Sequence, residues 1–148
     1  MKVSAGVICI NKFRGQPFLL VGHATGQKYW DLPKGGIDEG ERPIDAAIRE
    51  FKEEFDVTIY PENLTELGRL AYTPKKDLHL FITQIPVDIN ECKCNSLFTD
   101  FRGQEVYEMD DFMWIPIDKE SIEANMSKSM ARTLLRQFER STILKEFL

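Results

Sequence analysis

Glu50, Glu53 and Glu54 stand together in the run Arg49-Glu50-Phe51-Lys52-Glu53-Glu54. On a helix these positions are related by i, i+3 and i+4. They fall within one arc of about 100°, so the carboxylates converge while Phe51 points away. Like charges at that spacing destabilise a helix by ~0.2–0.5 kcal/mol per pair. Two readings answer that cost. For an isolated run the plainer one is a solvated acidic face, relieved by Arg49 against Glu53 and by Lys52. The sharper one is a hard divalent cation, Mg²⁺ or Mn²⁺, held by oxygen ligands. Such an ion bridges phosphate oxygens, offsets developing charge and lowers the pKa of an attacking water.

The residues upstream favour the sharper reading. The full stretch is Gly35-x5-Glu41-x7-Arg49-Glu50-Phe51-x-Glu53-Glu54-x-Asp56-Val57. It resembles the signature of the Nudix hydrolases, Gly-x5-Glu-x7-Arg-Glu-U-x-Glu-Glu-x-Gly-U, where U is bulky and aliphatic or aromatic. Every specified position matches but one. Asp56 stands where the family usually has glycine, and aspartate tolerates the left-handed backbone of a helix end better than most residues.

The resemblance implies an α/β fold, the Nudix-type α/β/α sandwich with a mixed β-sheet. It implies a divalent cofactor, Mg²⁺ or Mn²⁺, on the metal ligands Glu50, Glu53 and Glu54, with Glu53 and Glu54 also catalytic. Glu41 and Arg49 are implied to be structural, Glu41 pinning the loop to the helix through Arg49. The reaction implied is hydrolysis of a pyrophosphate linkage in a nucleoside diphosphate derivative. Gly35 and Gly36 would let the chain turn tightly and approach a phosphate closely.

Just before this box, Trp30-Asp31-Leu32-Pro33-Lys34-Gly35-Gly36 resembles the W-x-[FL]-P-K-G segment of particular branches. Those branches act on dinucleoside polyphosphates, on capped or triphosphorylated RNA 5′ ends, or on some diphosphoinositols. ADP-ribose branches tend to carry P-A-G or P-G-G there. Lys34 would bring positive charge to a polyphosphate. Tyr72 lies near the place of a base-stacking tyrosine in dinucleoside polyphosphate hydrolases, and Trp30 is either core or a base platform. Pro74 lies near a proline that marks ADP-ribose hydrolases, so the downstream markers conflict.

A small nucleotide polyphosphate is therefore the expected substrate, dinucleoside polyphosphates first. The alternatives are an RNA 5′ end and then ADP-ribose or NADH. A nucleotide-binding module of the same fold is the alternative outside enzymes, though such modules typically lose box carboxylates and none is lost here.

Further candidates lie outside the box. Glu108 precedes Trp114 at the distance where many relatives carry a metal-binding glutamate or general base, with Glu105, Asp110 and Asp111 as rivals. His23 and His79 suit general-base chemistry by residue type alone. Lys75 and Lys76 are either phosphate contacts or a polar hairpin tip. Lys128, Arg132, Arg136 and Arg140 recur at steps of four, as a solvated face or as a rail for an RNA tail.

The elements that must position these groups follow from hydrophobic spacing. Val3 to Ile10 and Phe18 to Val21 read as a hairpin across NKFRGQP. Ile44, Ala47, Ile48, Phe51 and Phe55 take helical spacing after Pro43, a residue suited to the first helical position. Val57–Tyr60, Leu67–Tyr72, Leu78–Ile85 and Phe112–Ile117 read as strands, and residues 90 to 104 as a polar loop. A final helix near Ser127 would bury Met130, Leu134, Leu135 and Phe138.

At 148 residues the chain, 1–148, is expected to form a single domain with a core of its own. Its net charge of −5 opposes unspecific tracking along nucleic acid but not a phosphorylated ligand met through a metal. Its apolar runs are too short to span a bilayer, and the N-terminus lacks a secretory pattern. Cys9, Cys92 and Cys94 make an odd set without a disulfide framework, which fits a reducing cytoplasm. Cys92-Lys93-Cys94 resembles half a zinc site with nothing to complete it.

Overall fold

The alternation of side chains along the first strand sorts the molecule into layers. In β1 (Lys2–Phe13), Ala5, Val7 and Cys9 turn to one face of the sheet, and Ile8 and Ile10 to the other. This is the period of two that buries a strand on both faces. A computed structural model describes Met1–Leu148. The strand returns as β2 (Gln16–Ala24) through Arg14 and Gly15 alone, both at positive φ (53° and 78°). Such a turn matches the twist of a tight hairpin, so both strands run longer than the polar NKFRGQP segment suggests.

Two short strands follow, β3 (Trp30–Asp31) and β4 (Lys34–Gly36), then α1 (Pro43–Phe55). The chain continues through β5 (Thr65–Thr73), β6 (Lys76–Thr83), the small hairpin β7 (Leu97–Thr99) and β8 (Glu105–Tyr107), and β9 (Met109–Pro116). It closes with α2 (Lys119–Asn125), α3 (Lys128–Arg140) and α4 (Thr142–Lys145).

The main sheet has seven strands and is mixed. β1 runs parallel to β6 from Lys2 to Cys9, and the other pairings are antiparallel. Both central strands change partners part-way. β1 pairs with β4 over Ser4–Gly6 and with β2 over Ile10–Phe13. β2 then passes to β3 at Gly22 and His23, while β9 holds its far edge. The sheet therefore opens between β1 and β2, with β3 and β4 in the opening.

On one face α1 packs Ala46, Ala47, Phe51 and Phe55 against Ala5, Val7, Leu20 and Phe81. On the other, Ile122, Met130, Leu134 and Leu144 of the three C-terminal helices cover Ile8, Leu19, Leu78, Leu80 and Ile115. The architecture is an α/β/α sandwich around a mixed sheet. α3 starts at the expected place, with Ser127 accepting a hydrogen bond from the Met130 N–H at 3.2 Å. Met130 and Leu134 are fully buried and Leu135 and Phe138 partly so. No helix is long and apolar enough to cross a membrane.

Two expectations are corrected. Val57–Tyr60 forms no strand: Ile59 is buried, but the segment has no ladder partner and Pro61 opens a one-turn 3-10 helix (Pro61–Asn63). The polar stretch from 90 to 104 is not a plain loop. It holds a 3-10 turn at Ile89–Glu91, strand β7 and the turn toward β8.

Candidate active site

The site is built on α1 and on how that helix is closed. Pro43 occupies its first turn, where a missing N–H costs nothing. At the other end Asp56 adopts φ 58°, ψ 32°, the left-handed conformation. The Asp56 N–H donates to the Lys52 carbonyl at 3.0 Å and the Val57 N–H to the Phe51 carbonyl at 3.4 Å. The first of these bonds is that of the simple left-handed helix stop usually made by glycine, here made by an aspartate. The Asp56 carboxylate lies 3.0 Å from Lys52 Nζ and accepts from the Asn95 amide at 2.9 Å. Lys52, and then Asn95, hold its carboxyl below the ordinary value.

One turn back, Glu50 and Glu54 are buried and Glu53 is half-buried, while Phe51 and Phe55 fill the core with edge-on rings 5.7 Å apart. β4 runs directly against this carboxylate face. The Lys34 N–H donates to Glu54 Oε1 at 2.9 Å, and a Cβ on Gly35 would overlap the Glu50 carboxylate. Glu108, between β8 and β9, faces Glu54. Burial, and next the approach of Glu108, push the Glu54 carboxyl up to about 10. Burial also raises Glu50, against the pull of Arg49.

Arg49 ties the preceding loop to the helix. Its Nε and Nη2 donate to the two oxygens of Glu41, both at 2.9 Å, and Nη2 also donates to the Gly36 carbonyl at 2.9 Å. Nη1 reaches Glu50 at 2.8 Å and Glu53 at 3.3 Å. The Glu41 bonds lead in holding the guanidinium above its ordinary value. The planar fork thus fixes loop and carboxylates in one plane of contacts.

The remaining candidates separate by position. Glu108 is the acidic candidate that meets Glu54. Asp110 pairs with His23 at 2.6 Å, Asp111 accepts from the Phe112 N–H, and Glu105 is exposed in β8. His79 pairs with Glu66 at 2.6 Å and stacks on Phe81, and neither histidine bonds a box carboxylate. Trp30 packs edge-on to His23, 5.2 Å away, against the α3-side core. Cys9, Cys92 and Cys94 are free thiols, and Cys94 Sγ accepts from the Met109 N–H at 3.4 Å.

Lys34 sends its side chain to the opposite face of the strand from Gly35, over Gly6. Burial works most strongly against its ammonium, but Asp31 at 3.1 Å, Tyr72 and Glu54 together hold it above the ordinary value. Lys76 is lowered by burial and then by the nearby charge of Lys34, with a further contribution from Lys2. Tyr72, half-buried against the same core, lines a recess of about 740 Å³ with Lys2, Lys75 and Lys76. A second recess of about 690 Å³ joins Lys2 and Lys76 to Gly36 and Pro43 at the start of the box. The spacing of the sequence pointed to neither Lys2 nor the partners Asn95 and Ser96. Only the Lys2–Lys76 register of the parallel pair brings those two lysines together.

The residue types at α1 suit a hard divalent cation: carboxylate oxygens, two of the carboxylates desolvated, and a glycine where a side chain would displace one of them. No three of the acidic side chains, however, gather into a group that could hold an ion.

Comparison with known proteins agrees with this geometry. The family model of the NUDIX domain matches residues 1–136. An uncharacterised 17.7 kDa protein of Enterobacteria phage T4 is 36% identical over 126 residues, covering 77% of this chain and 82% of the phage protein. An RNA pyrophosphohydrolase of Shewanella sediminis is 40% identical over 126 residues, covering 77% of this chain and 70% of the relative. Among solved structures, a C. elegans Ap4A hydrolase binary complex superposes with a TM-score of 0.67 at 27% identity, covering 99% of this chain and 100% of that one. Proteins of this kind generally use divalent metal ions. With box and sandwich in place and the family matched over nearly its whole length, the chain belongs to the Nudix hydrolases, enzymes that break pyrophosphate bonds.

Proposed function

We propose that this hydrolase cleaves the phosphate chain of dinucleoside polyphosphates, with residues 1–148 acting as one catalytic domain. The observation that carries the substrate choice is the lysine group beside the box. Lys2 faces Lys76 across the parallel pair and Lys34 lies near enough to lower Lys76, with Asp31 the acidic group that offsets part of this charge. Such crowding is unfavourable alone and is relieved by a multiply charged anion. A long polyphosphate relieves it more than the diphosphate of ADP-ribose or NADH.

On this reading Glu50, Glu53 and Glu54 would hold Mg²⁺ or Mn²⁺, which would offset phosphate charge and make water a stronger nucleophile. The chain's own groups do the rest. Glu108, within hydrogen-bond reach of Glu54, takes the proton of the attacking water. Water oxygen bonds to one phosphorus, the bridging P–O bond breaks, and the departing phosphate keeps the electron pair. Gly36 leaves room for the phosphate at the backbone while Gly35 makes room for Glu50, Lys34 binds the chain, and Tyr72 offers a face for a base.

An RNA 5′ end is the second reading. It is favoured by Lys128, Arg132, Arg136 and Arg140, which line a groove of about 620 Å³ on α3 and are not ion-paired, though Glu123 and Glu139 also line it. The S. sediminis relative's name points the same way.

The test is incubation with Mg²⁺ and, in turn, a dinucleoside tetraphosphate, a 5′-triphosphorylated RNA and ADP-ribose, with products resolved by chromatography. The tetraphosphate should be cleaved most efficiently. ADP-ribose cleaved as well as both polyphosphates would overturn the substrate assignment. Glu53→Gln should abolish turnover while leaving the fold intact, whereas a binding module would show no turnover to lose.

A further inference from the structure

We propose that Asn95 and Ser96, outside the signature, are positioning residues that set the box carboxylates of α1 and Glu108 in register with each other. The last carbonyls of a helix lack partners within it. In α1 one short segment partners those of Phe55 and Glu53 and shares that of Lys52 with the Asp56 N–H. The Lys93 N–H donates to the Phe55 carbonyl at 3.3 Å and the Asn95 N–H to the Glu53 carbonyl at 2.7 Å. The Asn95 amide donates to the Lys52 carbonyl at 3.2 Å and to Asp56 Oδ1 at 2.9 Å.

The next residue turns to the other side of the site. Ser96 Oγ donates to Glu108 Oε1 at 3.1 Å, and the Ser96 carbonyl accepts the Glu108 N–H at 2.9 Å. Two adjacent residues therefore fix the backbone of Glu53 and both the backbone and the carboxylate of Glu108. Glu54, one residue from Glu53, meets Glu108 between these anchors.

Asp56 belongs to the same device. Glycine there would close the helix equally well but would leave the Asn95 amide the Lys52 carbonyl alone as acceptor. The departure from the family signature and the segment before β7 are thus two halves of one latch.

This inference rests on the reading of Glu53, Glu54 and Glu108 as the hydrolytic site. The test uses Ser96→Ala, Ser96→Thr, Asn95→Ala, Asp56→Gly and the Asn95→Ala/Asp56→Gly double variant. It compares kcat and KM on the tetraphosphate, Mn²⁺ affinity from the electron paramagnetic resonance of the free ion, and Tm. Ser96→Ala should lower kcat about tenfold with KM little changed, and Ser96→Thr should recover most of the loss. Asn95→Ala and Asp56→Gly should each weaken Mn²⁺ binding severalfold, and the double variant should be no worse than Asn95→Ala alone.

Wild-type kcat and Mn²⁺ affinity in both alanine variants would overturn the latch even if Tm fell. So would failure of threonine to rescue, or additive losses in the double variant. A wild-type protein inert on every polyphosphate would instead overturn the proposed substrate. The Mn²⁺ titrations would still decide the latch.

Discussion

Gly35→Ala probes the site through one added carbon. Gly35 pairs with Ala5 of β1 and faces α1, and its added Cβ would overlap the carboxylate carbon and both oxygens of Glu50. Glu50 has little freedom to yield, because it is buried and accepts from Arg49 Nη1 at 2.8 Å. Either it rotates and abandons Arg49, or α1 backs away from β4. Overpacking of this kind costs ~1–3 kcal/mol. At roughly 2–4 °C per kcal/mol for a domain of this size, Tm should fall by roughly 2–12 °C. A proposed metal ligand displaced by ~1 Å should also cost about 10²-fold in turnover. Gly36→Ala is the stability control, since its Cβ would meet nothing within 4 Å. It should move Tm by no more than the ~0.5 kcal/mol typical of surface changes. The assay pairs thermal melts of both variants with steady-state tetraphosphate hydrolysis by Gly35→Ala. The reasoning fails if Gly35→Ala melts and turns over like wild type, or if Gly36→Ala loses as much stability.

Three further outcomes are expected. Ser127→Ala removes the α3 cap and should cost ~1 kcal/mol in a urea melt, with Asp at that position restoring it; equal stability of Ser and Ala would argue against the cap. Lys34→Met should raise KM for the tetraphosphate more than for ADP-ribose, and an equal rise for both would remove the lysine from polyphosphate recognition. Asp56→Asn tests the charge beside Lys52. Because the folded carboxyl lies below its ordinary value of 3.8, its stabilisation is present above that pH and fades as pH falls below it. The stability gap between wild type and Asp56→Asn should therefore close in acid, and a gap independent of pH would contradict the pairing.

What could be read from the chain alone follows how each element announces itself. α1 was legible because Pro43 opens it and its apolar residues recur at helical spacing, and Asp56 closes it as a glycine would. β3 and β4 are too short for any periodicity to appear. β7 and β8 carry Leu97, Phe98 and Tyr107 largely in solvent, so no half-buried alternation marks them and the stretch reads as loop. Val57–Tyr60 erred the other way: its residues suit a strand, but strand formation needs an edge to pair with and none is offered. Glu108 stood among three rivals until the β7–β8 hairpin placed it, through Ser96, against Glu54. Lys76 read as a hairpin tip because the register that sets it beside Lys2 joins strands far apart in sequence.

The opening in the sheet explains why such a short strand serves two functions at once. Where β1 leaves β4 and has not yet met β2, the Val7 N–H is taken by the Pro33 carbonyl at 3.0 Å. β4 lies so close there that a Cβ on Gly6 would come 2.9 Å from the Lys34 Cβ and 3.1 Å from the Pro33 oxygen. Drawn onto β1 in this way, β4 keeps its outer edge for α1, giving the Lys34 N–H to Glu54 and the Gly36 carbonyl to Arg49. The pleat then divides its side chains. Gly35 turns to the carboxylates, and Lys34 turns to the other face, toward Lys2 and Lys76. The box carboxylates and the lysine group therefore lie on opposite sides of β4. On the proposed reading a chain of several phosphates spans that separation better than a diphosphate.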